Sequence, residues 1–245
     1  MAYRSYRSTF DLGFGSGLTP AVKNLLIANV AVFVLQYLLV AAHYGGVIYL
    51  LMLVPYAVTH QLLIWQLVTY MFLHAGFFHI LFNMFALWMF GCELERTWGT
   101  RRFLQYYFLT GIGAGLTVIL ASPSSLVATL GASGAIYGIL LAYGVLFPDR
   151  LIFLYFLIPI KAKYFVMIIG GIEFLSALST PGSLVSHVAH LGGMVFGILY
   201  LRGTPLFYHL RNRYYRWRRL RLQRAFGVYM SKQDHKEQRR GPWIN

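Results

Sequence analysis

Acidic side chains are scarce in this chain, which has seven Asp and Glu against 21 Lys and Arg in 245 residues. Charged residues of both signs reach only 11%, against roughly 25% in an average soluble domain. With 58% hydrophobic residues and a mean hydropathy of +0.59, the chain reads as a polytopic membrane protein rather than a soluble globule. A single cysteine, Cys92, excludes an internal disulfide and any Cys-pair zinc site. There is no His-Glu-x-x-His sequence for a zinc protease and no pair of aspartates inside apolar segments for an aspartyl dyad. No metal and no other cofactor is implied. The first 22 residues hold no apolar stretch of signal-peptide kind, so no removal of an N-terminal peptide is expected. There is no internal repeat, and no low-complexity segment apart from a basic C-terminal tail.

What is there is a series of apolar runs. Spans of about 20 apolar residues fall approximately at 23–42, 67–91, 103–121, 133–147, 164–180 and 185–201. The expectation is an all-α bundle of six transmembrane helices over 23–202, with an N-terminal segment 1–22 and a basic tail 203–245. The fourth run is short for a span, which sets its first residue, Ser133, below the membrane surface.

Charge tests this count, because short cytoplasmic loops are enriched in Lys and Arg. Six spans put Arg4, Arg7 and Lys23 on one side, together with Arg96, Arg101 and Arg102, then Arg150, Lys161 and Lys163, then the twelve basic residues from Arg202 to Arg240. That set contains every Lys and Arg in the chain, so both termini are expected in the cytoplasm. A seventh span at 47–64 would break the pattern, and Pro55 with the polar run Thr59-His60-Gln61 argues against it. An interfacial loop suits that stretch better, with Tyr44, Tyr49, Tyr56 and Trp65 at the headgroup level. The tail sequence RNRYYRWRRLRLQR mixes basic and aromatic residues. Directly after a span, that composition points to a topology anchor and anionic-lipid contact rather than to nucleic acid.

Polar groups inside apolar segments are costly and mark function. Hydrolysis by a serine needs a nucleophile, a base and donors facing the developing oxyanion. Ser133 starts the fourth segment, where the unpaired N–H groups of a helix N-terminus favour negative charge. Taken alone, Gly131-Ala132-Ser133-Gly134 is more often a close-packing surface of small residues. His190 lies near the outer end of the sixth segment, and a bond to some neighbouring helix is an equally good reading of it by itself. Gly193 and Gly197, like Gly134 and Gly138, clear one face of a helix and let backbones approach closely. His79 and Asn83, four residues apart, share a helix face and are side chains of the type that stabilise an acyl-transfer oxyanion. His74 is displaced from that face, nearer the aqueous boundary, and reads as a structural hydrogen-bonding residue.

Six of the seven carboxylates belong to the cytoplasmic side. The expectation is therefore a Ser–His pair without a carboxylate, the base oriented by some other neighbour. Glu173, about ten residues inside the fifth segment, is the exception, held protonated or hydrogen-bonded by a partner the sequence does not name.

Taken together, His74-x4-His79-x3-Asn83, Gly131-x-Ser133-Gly134 and Ala189-His190-x2-Gly193-x3-Gly197 resemble the rhomboid family of intramembrane serine proteases over roughly residues 20–202. The resemblance implies Ser133 as nucleophile and His190 as general base. It implies His79, Asn83 and the Ser133 backbone N–H as the oxyanion hole, Tyr137 beside the base, and a structural role for His74. It also implies a first loop at 43–65 lying partly in the outer leaflet, and a minimal form located in a bacterial inner membrane. Two positions depart from the family pattern: Trp65-Gln66 stands where many members have Trp-Arg, and Glu95-Arg96-Thr97 stands where Glu-x-Arg follows the second helix. Both bear on the loops more than on chemistry.

The function so implied is an endopeptidase acting on single-span transmembrane proteins within the bilayer, through an acyl-enzyme. The alternative is a non-catalytic rhomboid-like protein that binds membrane clients. A transporter or channel finds little support, since intramembrane charge is nearly absent and no paired repeat halves exist.

Overall fold

The computed structural model describes residues 17–154, 158–179 and 187–203. Arg4, Arg7 and the tail beyond Gly203, with its expected lipid contact, lie outside the described residues. The chain divides into two compact units, Met1–Tyr200 and Leu201–Asn245, and the helical bundle with its site belongs to the first.

Helices account for most of the described residues of that unit: α1 (Pro20–Ala41), α2 (Gly45–Leu51), α3 (Pro55–Gln61), α4 (Gln66–Thr69), α5 (Phe77–Ala86), α6 (Cys92–Trp98), α7 (Thr100–Ala121), α8 (Ser133–Leu146) and α9 (Ala162–Ser179). Residues 187–200 are also helical and are called α10. A π turn, Leu87–Gly91, joins α5 to α6 into one apolar rod, Phe77–Trp98. Among the described residues four helices are long and apolar enough to cross a membrane, namely α1, the α5–α6 rod, α7 and α9; α8 is apolar but shorter.

The second span is the one that moves most from its expected place, 67–91. Side chains explain why residues 66–69 leave the rod. Thr69 Oγ1 donates to the Leu51 carbonyl at 2.7 Å, and Gln66 Oε1 accepts from the Val54 N–H at 3.0 Å. These bonds tie α4 and the following 3₁₀ turn, Tyr70–Phe72, to the preceding loop, and the backbone then turns extended at Leu73. The region 43–65 holds no spanning helix. It carries two seven-residue helices, α2 and α3, split by extended residues around Leu53, whose backbone pairs with Thr129.

One element is absent from the sequence expectation: an antiparallel hairpin of β1 (Leu151–Leu154) and β2 (Ile158–Lys161), with Leu151 opposite Lys161. The run from Leu151 to Ile160 is apolar, aromatic and β-branched, and too short to span, which is a strand signal.

α7 sits at the centre. Phe103, Tyr106, Tyr107, Thr110, Ala114 and Val118 are buried at helical spacing. Leu38, Met167 and Leu178, on α1 and α9, stay more than half exposed. Such faces cost nothing against hydrocarbon, which is as apolar as they are.

The basic loops meet at one end of the bundle. Arg150 reaches Glu93 at 2.7 Å, and Lys161 and Lys163 hold Asp149 at 3.1 and 3.0 Å. The two ammonium groups, Lys163 first, keep the Asp149 carboxyl below the usual carboxylate range. Glu95 is buried at this same end. Its carboxylate accepts from the Ala21 and Val22 N–H groups at 2.9 and 3.0 Å and from Thr100 Oγ1 at 2.6 Å. It thereby caps the start of α1, whose Thr19 makes no side-chain cap of its own.

Candidate active site

The segment before α8 is pinned from two sides: Thr129 exchanges backbone bonds with Leu53, and the Gly131 N–H donates to the Tyr70 carbonyl at 2.9 Å. Gly131 then takes φ +125°, a conformation that favours glycine, and a Cβ there would lie 2.8 Å from the His79 ring. Both constraints require glycine at this position. They deliver Ser133 to the first position of α8, where early N–H groups have no intrahelical acceptor.

α10 meets α8 backbone to backbone. A Cβ on Gly193 would fall 1.9 Å from the Gly134 carbonyl oxygen. The other two glycines of these pairs face α7 instead: a Cβ on Gly138 would meet Thr110, and one on Gly197 would meet the Tyr106 hydroxyl at 2.5 Å. Tyr106 also donates to the Gly138 carbonyl at 2.7 Å. The small-residue faces thus close a three-helix contact, and only Gly134 and Gly193 touch each other.

That close approach places His190 Nε2 2.8 Å from Ser133 Oγ. Tyr137, one turn beyond Ser133, stacks on the His190 ring with centroids 4.1 Å apart and planes 5° from parallel. A cavity of about 100 Å³ opens beside the pair, and Ser133, His190, His79 and Gly131 are among its walls.

The second-rod residues occupy two environments. His79 is half-buried, and its Nδ1 accepts from the Ala75 N–H at 3.3 Å, leaving Nε2 on the Gly131 side. Asn83 is buried with its Nδ2 unpartnered and does not line the cavity. His74 is fully buried, edge-on to His79 at 5.1 Å, and neither ring nitrogen hydrogen-bonds to any of the described residues, so the side-chain hydrogen bonding expected of it is not found there. Its backbone is gripped instead: Gln36 Nε2 donates to the His74 carbonyl at 2.8 Å and Gln36 Oε1 accepts its N–H at 3.2 Å.

Glu173 corrects the expectation that no carboxylate neighbours the base. One of its oxygens, Oε2, lies 3.1 Å from His190 Nδ1 and 2.6 Å from His187 Nδ1. The other accepts the Tyr137 hydroxyl. The His187 contact is a hydrogen bond, whereas the His190 contact is too bent to count as one in this geometry. Burial of Glu173 in mid-helix between apolar turns hides these partners from a reading of the sequence, and His187 escapes it altogether. The available signal is spacing, since His187 and His190 are three apart and share a helix face. Glu173, His187 and His190 also offer ligand atoms within 4.8 Å of one another, a set that could take a metal ion. Here the 2.6 Å Nδ1···Oε2 separation is that of a hydrogen bond, with a proton between the two atoms.

The departures from the family pattern are filled locally. Gln66, fully buried, accepts from Val54 N–H and donates to the Leu50 carbonyl at 3.3 Å, while Trp65 Nε1 donates to that same carbonyl at 3.0 Å. Glu95 and Arg96 hold the residues around the start of α1, Arg96 donating to the Gly17 carbonyl at 2.9 Å.

Fold and site together define a helical integral membrane protein with a serine and a histidine in contact inside the bundle. A family model of the Rhomboid domain matches residues 61–205, and the chain belongs to the rhomboid family. It is 36% identical over 137 residues to the rhomboid protein YdcA of Bacillus subtilis (strain 168), covering 55% of this chain and 64% of that one. It is 36% identical over 135 residues to Rhomboid protease GluP of the same organism, covering 54% of this chain and 24% of the other. RHOMBOID-like protein 1 of Arabidopsis thaliana is 30% identical over 190 residues, 76% of this chain and 45% of its own length. The chain thus spans from a quarter to just under two thirds of these relatives.

Proposed function

We propose that this chain is an intramembrane serine endopeptidase that cleaves single-span transmembrane proteins near the outer face of the membrane. The observation that carries the reading is the 2.8 Å contact between His190 Nε2 and Ser133 Oγ at the wall of a cavity inside an apolar bundle. Its relatives support the class, since GluP is named a rhomboid protease.

Ser133 Oγ attacks the scissile carbonyl and passes its proton to His190 Nε2. The oxyanion forms beside the Ser133 N–H, with His79 and the unpartnered Asn83 Nδ2 as further donors. His190 then protonates the leaving amine, freeing the C-terminal fragment and leaving an acyl group on Ser133. Water activated by the same imidazole releases the second fragment. A substrate carbonyl is reachable only where its helix unwinds, since helical carbonyls are already bonded.

α8 has 14 residues, a length of about 21 Å against a hydrocarbon core of about 30 Å. Its first residue is therefore recessed, and the cavity supplies the water. Six spans with both termini cytoplasmic remain the topology that sets all basic loops on one side. The location is a bacterial cell membrane, with the tail against anionic lipid.

A fluorophosphonate probe, applied to detergent-purified wild type, Ser133→Ala and His190→Ala, tests the reading. Labelling of wild type alone is the expected result. Equal labelling of Ser133→Ala overturns the nucleophile, and no labelling of folded wild type favours the client-binding alternative.

A further inference from the structure

A base in a serine hydrolase works from one tautomer. To accept the Ser133 proton, Nε2 must carry none, so the ring proton belongs on Nδ1, and a group facing Nδ1 decides whether it stays there. In the rhomboid protease reading, on which this inference rests, Ser133 and His190 suffice. This chain has a third group in that position.

Glu173 Oε2 lies 3.1 Å from His190 Nδ1. The carboxylate has three polar neighbours: the Tyr137 hydroxyl, which donates to Oε1, His187 Nδ1, hydrogen-bonded to Oε2 at 2.6 Å, and His190 Nδ1, 3.1 Å from the same oxygen but bent out of hydrogen-bond geometry. An ionised carboxylate has about four acceptor sites and no proton to give, which suits the two hydrogen bonds present and leaves Oε2 able to accept from His190 Nδ1 as well. Glu173 is 8% exposed, and a buried charge is tolerated only when it is bonded in this way. Tyr137 bridges the arrangement, stacked on the imidazole by its ring and bonded to the carboxylate by its hydroxyl.

We infer that Glu173 is a positioning residue for the base, making the unit Ser133–His190–Glu173 rather than a pair. It holds His190 as the Nδ1–H tautomer with Nε2 aimed at Ser133, and it faces the imidazolium formed when the serine proton arrives. No proton passes to Glu173: the serine proton goes to Nε2 and leaves from Nε2 to the departing amine. The bent His190 contact straightens when that charge develops, as catalytic hydrogen bonds of a free enzyme commonly do. His187 anchors the carboxylate on its far side and keeps it from rotating away.

The test uses the full chain in detergent, with a cleavable transmembrane model substrate and the fluorophosphonate probe. Glu173→Gln keeps shape and loses charge; it is expected to lower kcat by about 100-fold or more, with KM within about 3-fold and probe labelling slowed in parallel. Glu173→Asp, which restores the carboxylate, is expected to regain at least about tenfold of that loss. Thermal unfolding of each variant shows whether it is folded. Independently of any variant, nitrogen-15 histidine spectra of wild type are expected to show neutral His190 protonated on Nδ1. Glu173→Gln within about 3-fold of wild-type kcat overturns the inference, as does an Nε2–H tautomer in wild type. If Glu173→Gln does not fold, the tautomer decides alone. Wild-type labelling lost in Ser133→Ala, alongside an unimpaired Glu173→Gln, would leave the protease reading standing and remove only this role. A wild type that never labels removes both.

Discussion

Two buried carboxylates sit in different parts of the bundle, and their partners set them apart. Glu95 takes backbone N–H groups of Ala21 and Val22 and one threonine hydroxyl. Glu173 takes the hydroxyl of a tyrosine and one histidine nitrogen, with the His190 ring 3.1 Å away. Backbone donors cannot titrate or turn away, so Glu95 fixes where α1 begins. Side-chain donors can change protonation and rotate, so the same functional group at 173 is coupled to whatever its histidines do. In a chain with seven carboxylates, the identity of the donors separates a staple from a working group better than burial does, since both are under 9% exposed.

An effect as large as that of Glu173→Gln is expected where the helices carrying Ser133 and His190 are held together by contact rather than by charge. Gly193→Ala puts a Cβ 1.9 Å from the Gly134 carbonyl oxygen, a backbone atom that cannot swing aside. α8 and α10 must separate, carrying His190 away from Ser133. A misplacement of about 1 Å costs on the order of 100-fold in rate, read as the fluorophosphonate labelling rate. Labelling at the wild-type rate would show that the helix contact does not set the Ser133–His190 distance. The other half of the comparison is broken by Glu95→Ala, which strands two N–H groups and a hydroxyl at the start of α1. A loss of about 2–3 kcal/mol in unfolding free energy is expected, with kcat/KM of the folded protein within about 3-fold of wild type. A large fall in kcat/KM without a loss of stability would erase the distinction between the two carboxylates.

Much of the bundle is legible in the sequence because hydrocarbon imposes a length rule: α1, α7 and α9 lie within a few residues of their expected runs. The same rule misleads at 66–76, where apolar composition continues through a break made by hydrogen bonds of Gln66 and Thr69 to backbone far earlier in the chain. The hairpin at 151–161 escapes it by being too short to span, although its β-branched composition is visible. At the site, Ser133, His190, His79 and the glycines can be named from motifs, and the structure brings Ser133, His190 and His79 to one cavity. Asn83 stands outside its walls. Glu173 is visible as an anomaly but not as a neighbour of His190, because the contact joins α9 to α10 and no spacing within one helix encodes it.

The smallest expected effect concerns the loop that departs from the family pattern. Gln66 is fully buried and exchanges hydrogen bonds with Val54 N–H and the Leu50 carbonyl, holding the extended break between α2 and α3 against α4. An arginine at this position would bring a charge that needs an acceptor; the glutamine amide supplies a donor and an acceptor to backbone groups already there. Gln66→Ala leaves the Val54 N–H unpaired and is expected to cost about 1–2 kcal/mol. Because that bond ties α4 to the 43–65 segment and does not join two spanning helices, the loss should show as faster proteolysis within 45–61, while the main thermal transition moves less than in Glu95→Ala. A drop in the main transition equal to that of Glu95→Ala would mean that the loop is part of the cooperative core. The Glu95 staple would then not be confined to the end of the bundle where its carboxylate lies.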